Sequence, residues 1–174
     1  PLQMSIESLK EQARRHEQLE EWSKALELYL RAIRQGGEEE QPDISLYNRA
    51  GDIQTRLGNL DGAVAHYEQA IDLEADLPNN AIAVCKKVLR NLPSRTSMFL
   101  RMGQVRASQG FLTDARQNFL TYAERMQKAG EMEEAFRALE EFADAAPEDV
   151  EVRLALASQL ESHGRTDEAV GQMR

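Results

Sequence analysis

An all-α fold, an α-solenoid of about ten helices in antiparallel pairs, is what this 174-residue sequence predicts. Three observations carry that expectation. All five prolines (Pro1, Pro42, Pro78, Pro93 and Pro147) fall between apolar-periodic segments, so none incurs the roughly 3 kcal/mol that proline costs inside a helix. No alternating apolar and polar run bounded by hairpin turns occurs, and helical spacing dominates, as in Ala25, Leu28, Tyr29, Ala32 and Ile33. A registered column of small and large residues also recurs along the chain.

The column justifies each helix in turn. Helix 5–19 carries Ala13, and helix 22–35 carries Ala25, Tyr29 and Ala32. The segment 36–43, Gly-Gly-Glu-Glu-Glu-Gln-Pro-Asp, is polar and turn-rich and reads as an acidic surface loop. Helix 44–57 holds Gly51 and stops at Gly58, and helix 61–75 follows with Ala63, Tyr67 and Ala70. Between Pro78 and Pro93, helix 79–91 continues the column with Ala81, Cys85 and Val88. Helix 95–109 holds Gly103 and stops at Gly110; helix 112–129 answers with Ala115, Phe119 and Tyr122 before Gly130. Helix 132–146 carries Ala135, Leu139 and Phe142 and ends at Pro147. Helix 150–163 carries Ala157 and ends at Gly164, and helix 166–173 closes with Ala169 and Met173. The short connections predict antiparallel neighbours.

The physics of the column is direct. A small residue in mid-helix lets the next helix approach closely, a glycine turn reverses the chain, and the alanine and the large residue four positions on share one face. Glycine inside a helix costs about 1 kcal/mol relative to alanine, so Gly51 and Gly103 require a packing reason.

The run Tyr47-Asn48-Arg49-Ala50-Gly51, then Leu57-Gly58-Asn59-Leu60-Asp61-Gly62-Ala63, then Tyr67 and Ala70, resembles the tetratricopeptide repeat (TPR), a helix–turn–helix unit. A second stretch with Phe99, Met102, Gly103, Gly110, Leu112, Ala115 and Phe119 resembles it too. The resemblance implies units near 6–39, 44–77, 62–95, 96–129 and 116–149, some overlapping, and a partial unit at 150–174, all in a single right-handed α-solenoid domain, a TPR-like superhelix, over 1–174. The column alanines are 38, 18, 34, 20 and 34 residues apart rather than evenly spaced. Helices 61–75 and 112–129 are therefore expected to serve two units each, and 44–95 and 96–149 to be copies of one three-helix unit. The chain stops at Arg174 inside a helical pattern, as a piece of a longer protein would.

Composition narrows function. One cysteine excludes a disulfide framework and suits a reducing, cytoplasmic compartment. No apolar run approaches a membrane span, and a net charge of −9 disfavours general nucleic-acid binding. His16, His66 and His163 lie far apart with no ligand-spaced neighbours. Cys85 stands where Tyr29, Tyr67 and Phe119 stand elsewhere and reads as buried filler, and Trp22 as core. No catalytic, metal or cofactor constellation emerges, so no cofactor and no enzyme activity are expected.

From Lys86 to Arg125 the chain carries +6 while the remainder carries −15. One reading is a solvated basic face that balances an acidic array. The other is a belt built on Lys86, Lys87, Arg90, Arg101 and Arg106 that docks an acidic or amphipathic peptide or helix. RNA lacks support, since no aromatics interleave with the arginines. The family resemblance implies a protein–protein interaction scaffold with a groove formed by first helices. Its groove candidates are Lys10, Arg14, Asn48, Asp52, Thr55 and Arg56, with Leu120, Glu124 and Lys128 further along. The alternative is a regulatory segment of an enzyme or transcription regulator extending beyond Arg174. Ala169, Val170 and Met173 lie on one face of the last helix, which predicts self-association through it.

Overall fold

The computed structural model describes residues 3–37, 42–74 and 77–173. Among them the chain is all-α: α1 (Ile6–Gln18), α2 (Trp22–Gly36), α3 (Ile44–Arg56), α4 (Leu60–Leu73), α5 (Pro78–Asn91), α6 (Ser97–Ser108), α7 (Leu112–Lys128), α8 (Met132–Ala145), α9 (Val150–Ser162) and α10 (Thr166–Met173). Every helix expected from the sequence is present. Residues 38–41, the acidic part of the expected surface loop, lie outside the described residues. The helices fall into two compact units, Pro1–Leu92 with α1 to α5 and Pro93–Arg174 with α6 to α10.

Local chemistry sets the helix ends. Asp43 caps α3 by accepting from the Ser45 amide at 3.0 Å, and Asp149 caps α9 by accepting from the Val152 amide at 3.2 Å. Pro78 opens α5, where its missing N–H costs no helical bond. The turns that end α3, α6, α7 and α9 place Gly58, Gly110, Gly130 and Gly164 at φ between +76° and +82°. Each is followed by an amide bonded back five residues, as in Asn59 to the Gln54 carbonyl at 2.9 Å. The turn after α1 has the same bonds, Glu21 to the His16 carbonyl at 2.8 Å, but Glu20 occupies the left-handed position at φ +57°. Glutamate there carries a steric penalty that glycine escapes.

Within the first unit each helix packs on its sequence neighbour, and Leu9, Ala13, Ala25, Tyr29, Ala32, Leu46 and Ile53 form one core. In the second unit α7 packs against both α6 and α8, α8 also meets α6 and α9, and α9 pairs with α10. Its cores centre on Phe119, Tyr122 and Phe142 and on Phe136, Leu139 and Leu160. The expected column is buried: Tyr29, Tyr67, Cys85, Phe119 and Leu139 are all at most 2% exposed. Its last member departs, because Met173 is 61% exposed while Ala169 of the same helix is buried. The apolar face of α10 thus divides, with Ala169 packed inward against the α8–α9 core and Val170 and Met173 facing out.

The mid-helix glycines have their packing reason. A Cβ on Gly51 would lie 2.6 Å from the Tyr67 ring, and one on Gly103 would lie 2.8 Å from the Phe119 ring. Both rings are buried, so the aromatic of the second helix lies flush on the backbone of the first.

Candidate functional site

Two grooves in the first unit, both bordered by α3, collect many of the residues singled out from the sequence. The first, about 520 Å³, is lined by α1 and α3 residues Arg14, Glu17, Arg49, Asp52 and Arg56, with Trp22 from the start of α2. The Arg56 guanidinium stacks over the Trp22 ring at 4.4 Å, a cation–π contact that holds both side chains at the wall. Trp22 is half-buried against the α1–α3 core, so it serves core and groove together.

The second groove, about 480 Å³, lies between α3 and α5. Asn48, Glu74, Asn80, Ala83, Val84, Lys86, Lys87 and Arg90 line it. Cations on one face of α5 therefore meet Asn48 of α3, as helical spacing arranges them. Lys87 reaches across to Asp52 at 3.1 Å and lies over the Tyr67 ring at 5.3 Å. Lys86 and Arg90 are exposed at the rim.

Two of the groove acids, Glu17 and Asp52, are already engaged by buried tyrosines. Glu17 accepts from the Tyr29 hydroxyl at 2.7 Å and lies 3.9 Å from Arg49. Asp52 accepts from the Tyr67 hydroxyl as well as from Lys87. Burial pushes both tyrosine hydroxyls well above their ordinary pKa, and the neighbouring carboxylates add to the rise. Glu74, the residue that ends α4, is 7% exposed, and burial raises its pKa against the opposing influence of Asn48 and Lys87. Its Oε2 is buried without a hydrogen-bond partner, as is Oδ1 of Asn48.

Other expected site residues are placed elsewhere. The Lys10 ammonium is bound to Asp43, the cap of α3. Arg116 does the same to Asp149, the cap of α9, at 3.1 Å. Each cation precedes its aspartate by 33 residues, so Lys10 acts as a clasp between helices. Thr55 donates its hydroxyl to the Gly51 carbonyl at 2.9 Å. Leu120 packs against the α8–α9 core, and Glu124 pairs with Lys128 on the α7 surface at 3.0 Å. Arg101 and Arg106 are half-buried on α6 of the second unit, where Arg106 donates to Gln109 at 3.0 Å. The two halves of the expected belt thus belong to different units. Arg125 of the same stretch donates to the Pro93 carbonyl and stacks over Phe99 at 4.6 Å.

Sequence reasoning missed Arg49, Glu17, Asn80, Val84 and Glu74 as lining residues. Glu17 follows Arg14 by three residues and Arg49 precedes Asp52 by three, helical spacings within reach of the periodicity. Glu74 carried no signal, since in sequence it is one acid among many.

In the second unit, Leu154, Ala157, Ser158, Glu161, Val170 and Met173 frame a largely apolar hollow of about 380 Å³ on α9 and α10. Among the described residues no group of three or more metal-ligating side chains forms, and no helix is long and apolar enough to cross a membrane.

Two family models, both described as tetratricopeptide repeat, match the chain, one over residues 44–77 and the other over 123–174. The first covers the α3–α4 pair with its glycine turn and close approach. The chain carries tetratricopeptide repeats. Among solved structures it is similar to a TPR protein from Parabacteroides merdae, at 18% identity and a TM-score of 0.36, over 96% of this chain and 77% of that one. It is also similar to a thermophilic TPR protein of Thermus thermophilus, at 18% identity and a TM-score of 0.35, over 90% and 99% of the two chains. A third is the Rap conjugation gene regulator of the plasmid pLS20 in complex with the Phr* peptide, at 15% identity and a TM-score of 0.42, over 92% of this chain and 49% of that one. The repeat assignment rests on the two repeat models. No curated protein matches the chain.

Proposed function

We propose that the α1/α3/α5 face of the first unit binds an acidic, amphipathic segment of a partner protein. TPRs generally mediate protein–protein interaction. The observation that carries the reading is the lining of the two grooves: Arg14, Arg49, Arg56, Lys86, Lys87 and Arg90 border them, on a chain of net charge −9. The acids of the same lining, Glu17, Asp52 and Glu74, are fewer than these cations and offset only part of that charge. Such a local field attracts acidic segments while the remaining surface repels them from other docking modes. Exposed ion pairs contribute about 0.2–1 kcal/mol each and are screened by salt, so affinity should be micromolar and fall with ionic strength. Val84 and Ala83 at the α5 wall favour an amphipathic rather than a purely charged ligand.

Fluorescence anisotropy with a labelled acidic amphipathic peptide, and a basic one of equal length, tests this. The acidic peptide should bind and the basic one should not. The double variant Lys86→Glu with Arg90→Glu should abolish binding and its salt dependence. Binding that survives in a folded double variant would refute the reading. The α9–α10 hollow supports self-association with a second copy, because Leu154, Val170 and Met173 are exposed around it.

A further inference from the structure

The floor of the α3/α5 groove holds two buried acceptors that the chain itself does not satisfy. Glu74 is more than nine-tenths buried, yet its Oε2 has no hydrogen-bond partner among the described residues. Asn48 Oδ1, from α3, shares that condition and lines the same groove. Buried polar atoms are nearly always paired. Lys87, the cation closest in kind, is held instead by Asp52 and the Tyr67 ring. The groove therefore combines a cationic rim at Lys86 and Arg90 with two unsatisfied acceptor oxygens beneath it.

We infer that the segment bound here presents a lysine side chain between α3 and α5, its ammonium donating to Glu74 Oε2 and Asn48 Oδ1, with acidic residues on either side facing Lys86 and Arg90. The inference rests on the proposed docking of an acidic segment and adds what that segment must carry. An ammonium suits acceptors contributed by two different residues, because its three donors rotate freely, whereas a guanidinium is built for the two oxygens of one planar carboxylate. Ala83 and Val84 give the methylene stem an apolar wall. The rim makes the recognition selective. A lysine in a basic or neutral segment is repelled by Lys86 and Arg90 before it reaches Glu74, so only a lysine flanked by acids is admitted.

The test uses the full chain and labelled acidic peptides that differ at one central position, lysine or norleucine, which keeps the stem and removes the amine. In the wild-type protein the lysine peptide should bind at least tenfold more tightly by anisotropy. Glu74→Gln, close in size, should abolish that preference, so that the lysine and norleucine peptides bind it alike. Asn48→Ala should reduce the preference in part. Equal binding of the two peptides to the wild-type protein overturns the lysine requirement and leaves the acidic-segment reading standing. A preference that persists in Glu74→Gln overturns the assignment of Glu74. Failure of both peptides to bind overturns the acidic-segment reading and this inference with it.

Discussion

Alanine substituted for a helical glycine normally stabilises a helix by about 1 kcal/mol, and at Gly103 the sign should reverse. A Cβ there would lie 2.8 and 2.9 Å from two carbons of the Phe119 ring and 3.3 Å from Asn118 Cβ. Carbon atoms prefer about 3.5–4.0 Å, so the ring would have to retreat by about 0.7 Å. It has nowhere to go, being 1% exposed and packed on Phe142 at a centroid distance of 5.2 Å. Overpacking of this kind costs about 1–3 kcal/mol, which at least cancels the helical gain and leaves a net loss of up to about 2 kcal/mol. For a unit of this size that lowers Tm by up to roughly 15 °C. Gly51→Ala should behave alike, since its Cβ would meet the Tyr67 ring at 2.6 Å and disturb the Tyr67–Asp52 hydrogen bond. Gly103→Leu and Gly51→Leu should lose more. Gly171→Ala in α10 is the internal control: nothing lies within 4 Å of its Cβ, so the ordinary gain should appear. Thermal melts followed by circular dichroism read all of these. A melting temperature at or above wild type for both Gly51→Ala and Gly103→Ala would refute the close-approach argument. Adding Phe119→Leu to Gly103→Ala should recover part of the loss beyond additivity.

Glu20→Gly should raise Tm, because it relieves a non-glycine residue at φ +57° in a turn whose four counterparts use glycine; the gain is about 1 kcal/mol or less, and a lower Tm would contradict it. In the second unit the Arg137 hydrogen bond, helped by the Tyr122 hydroxyl and opposed by partial burial, holds Glu134 down at about 2. A lowered folded pKa gives stability that is present above the ordinary carboxylate range, near pH 4.3, and is lost as pH falls toward 2. Acid melts of Glu134→Gln should therefore depend less on pH across that window than those of wild type, and identical profiles would count against the pairing. Burial, with Glu134 adding to it, pushes the Tyr122 hydroxyl up to about 12. Leu154→Glu with Met173→Glu should reduce concentration-dependent association in sedimentation velocity, and a wild-type chain that stays monomeric at high concentration would dispose of the α9–α10 contact.

Helix number, helix order and the repeat register were legible in the sequence because each rests on short-range chemistry. Prolines and turn glycines set the boundaries, while Ala63, Tyr67 and Ala70 repeat at spacings that helical geometry places on one face. The same register located Gly51 and Gly103 as close approaches and Cys85 as core, all before any contact was known. It also puts Ala169, Val170 and Met173 on one face of α10, but periodicity does not show which of them a neighbour covers: Ala169 is buried, whereas Val170 and Met173 are exposed.

Tertiary structure decided the site. Lys10 and Arg14 look alike on one helix, yet Lys10 clasps the cap of α3 and Arg14 lines a groove. The basic stretch from Lys86 to Arg125 is continuous in sequence, whereas its residues are divided between two units, and Arg116 and Arg125 are engaged by Asp149 and Pro93. Glu74 shows the limit most clearly. Whether a carboxylate is a solvated surface charge or a buried acceptor depends on which residues crowd it and which donors reach it, and for Glu74 that environment includes Asn48 of α3, 26 residues earlier, and Lys87 of α5, 13 residues later. Local propensity and periodicity act within a helix turn or two, so they determine the elements; partner choice among long charged side chains is settled only when the elements pack.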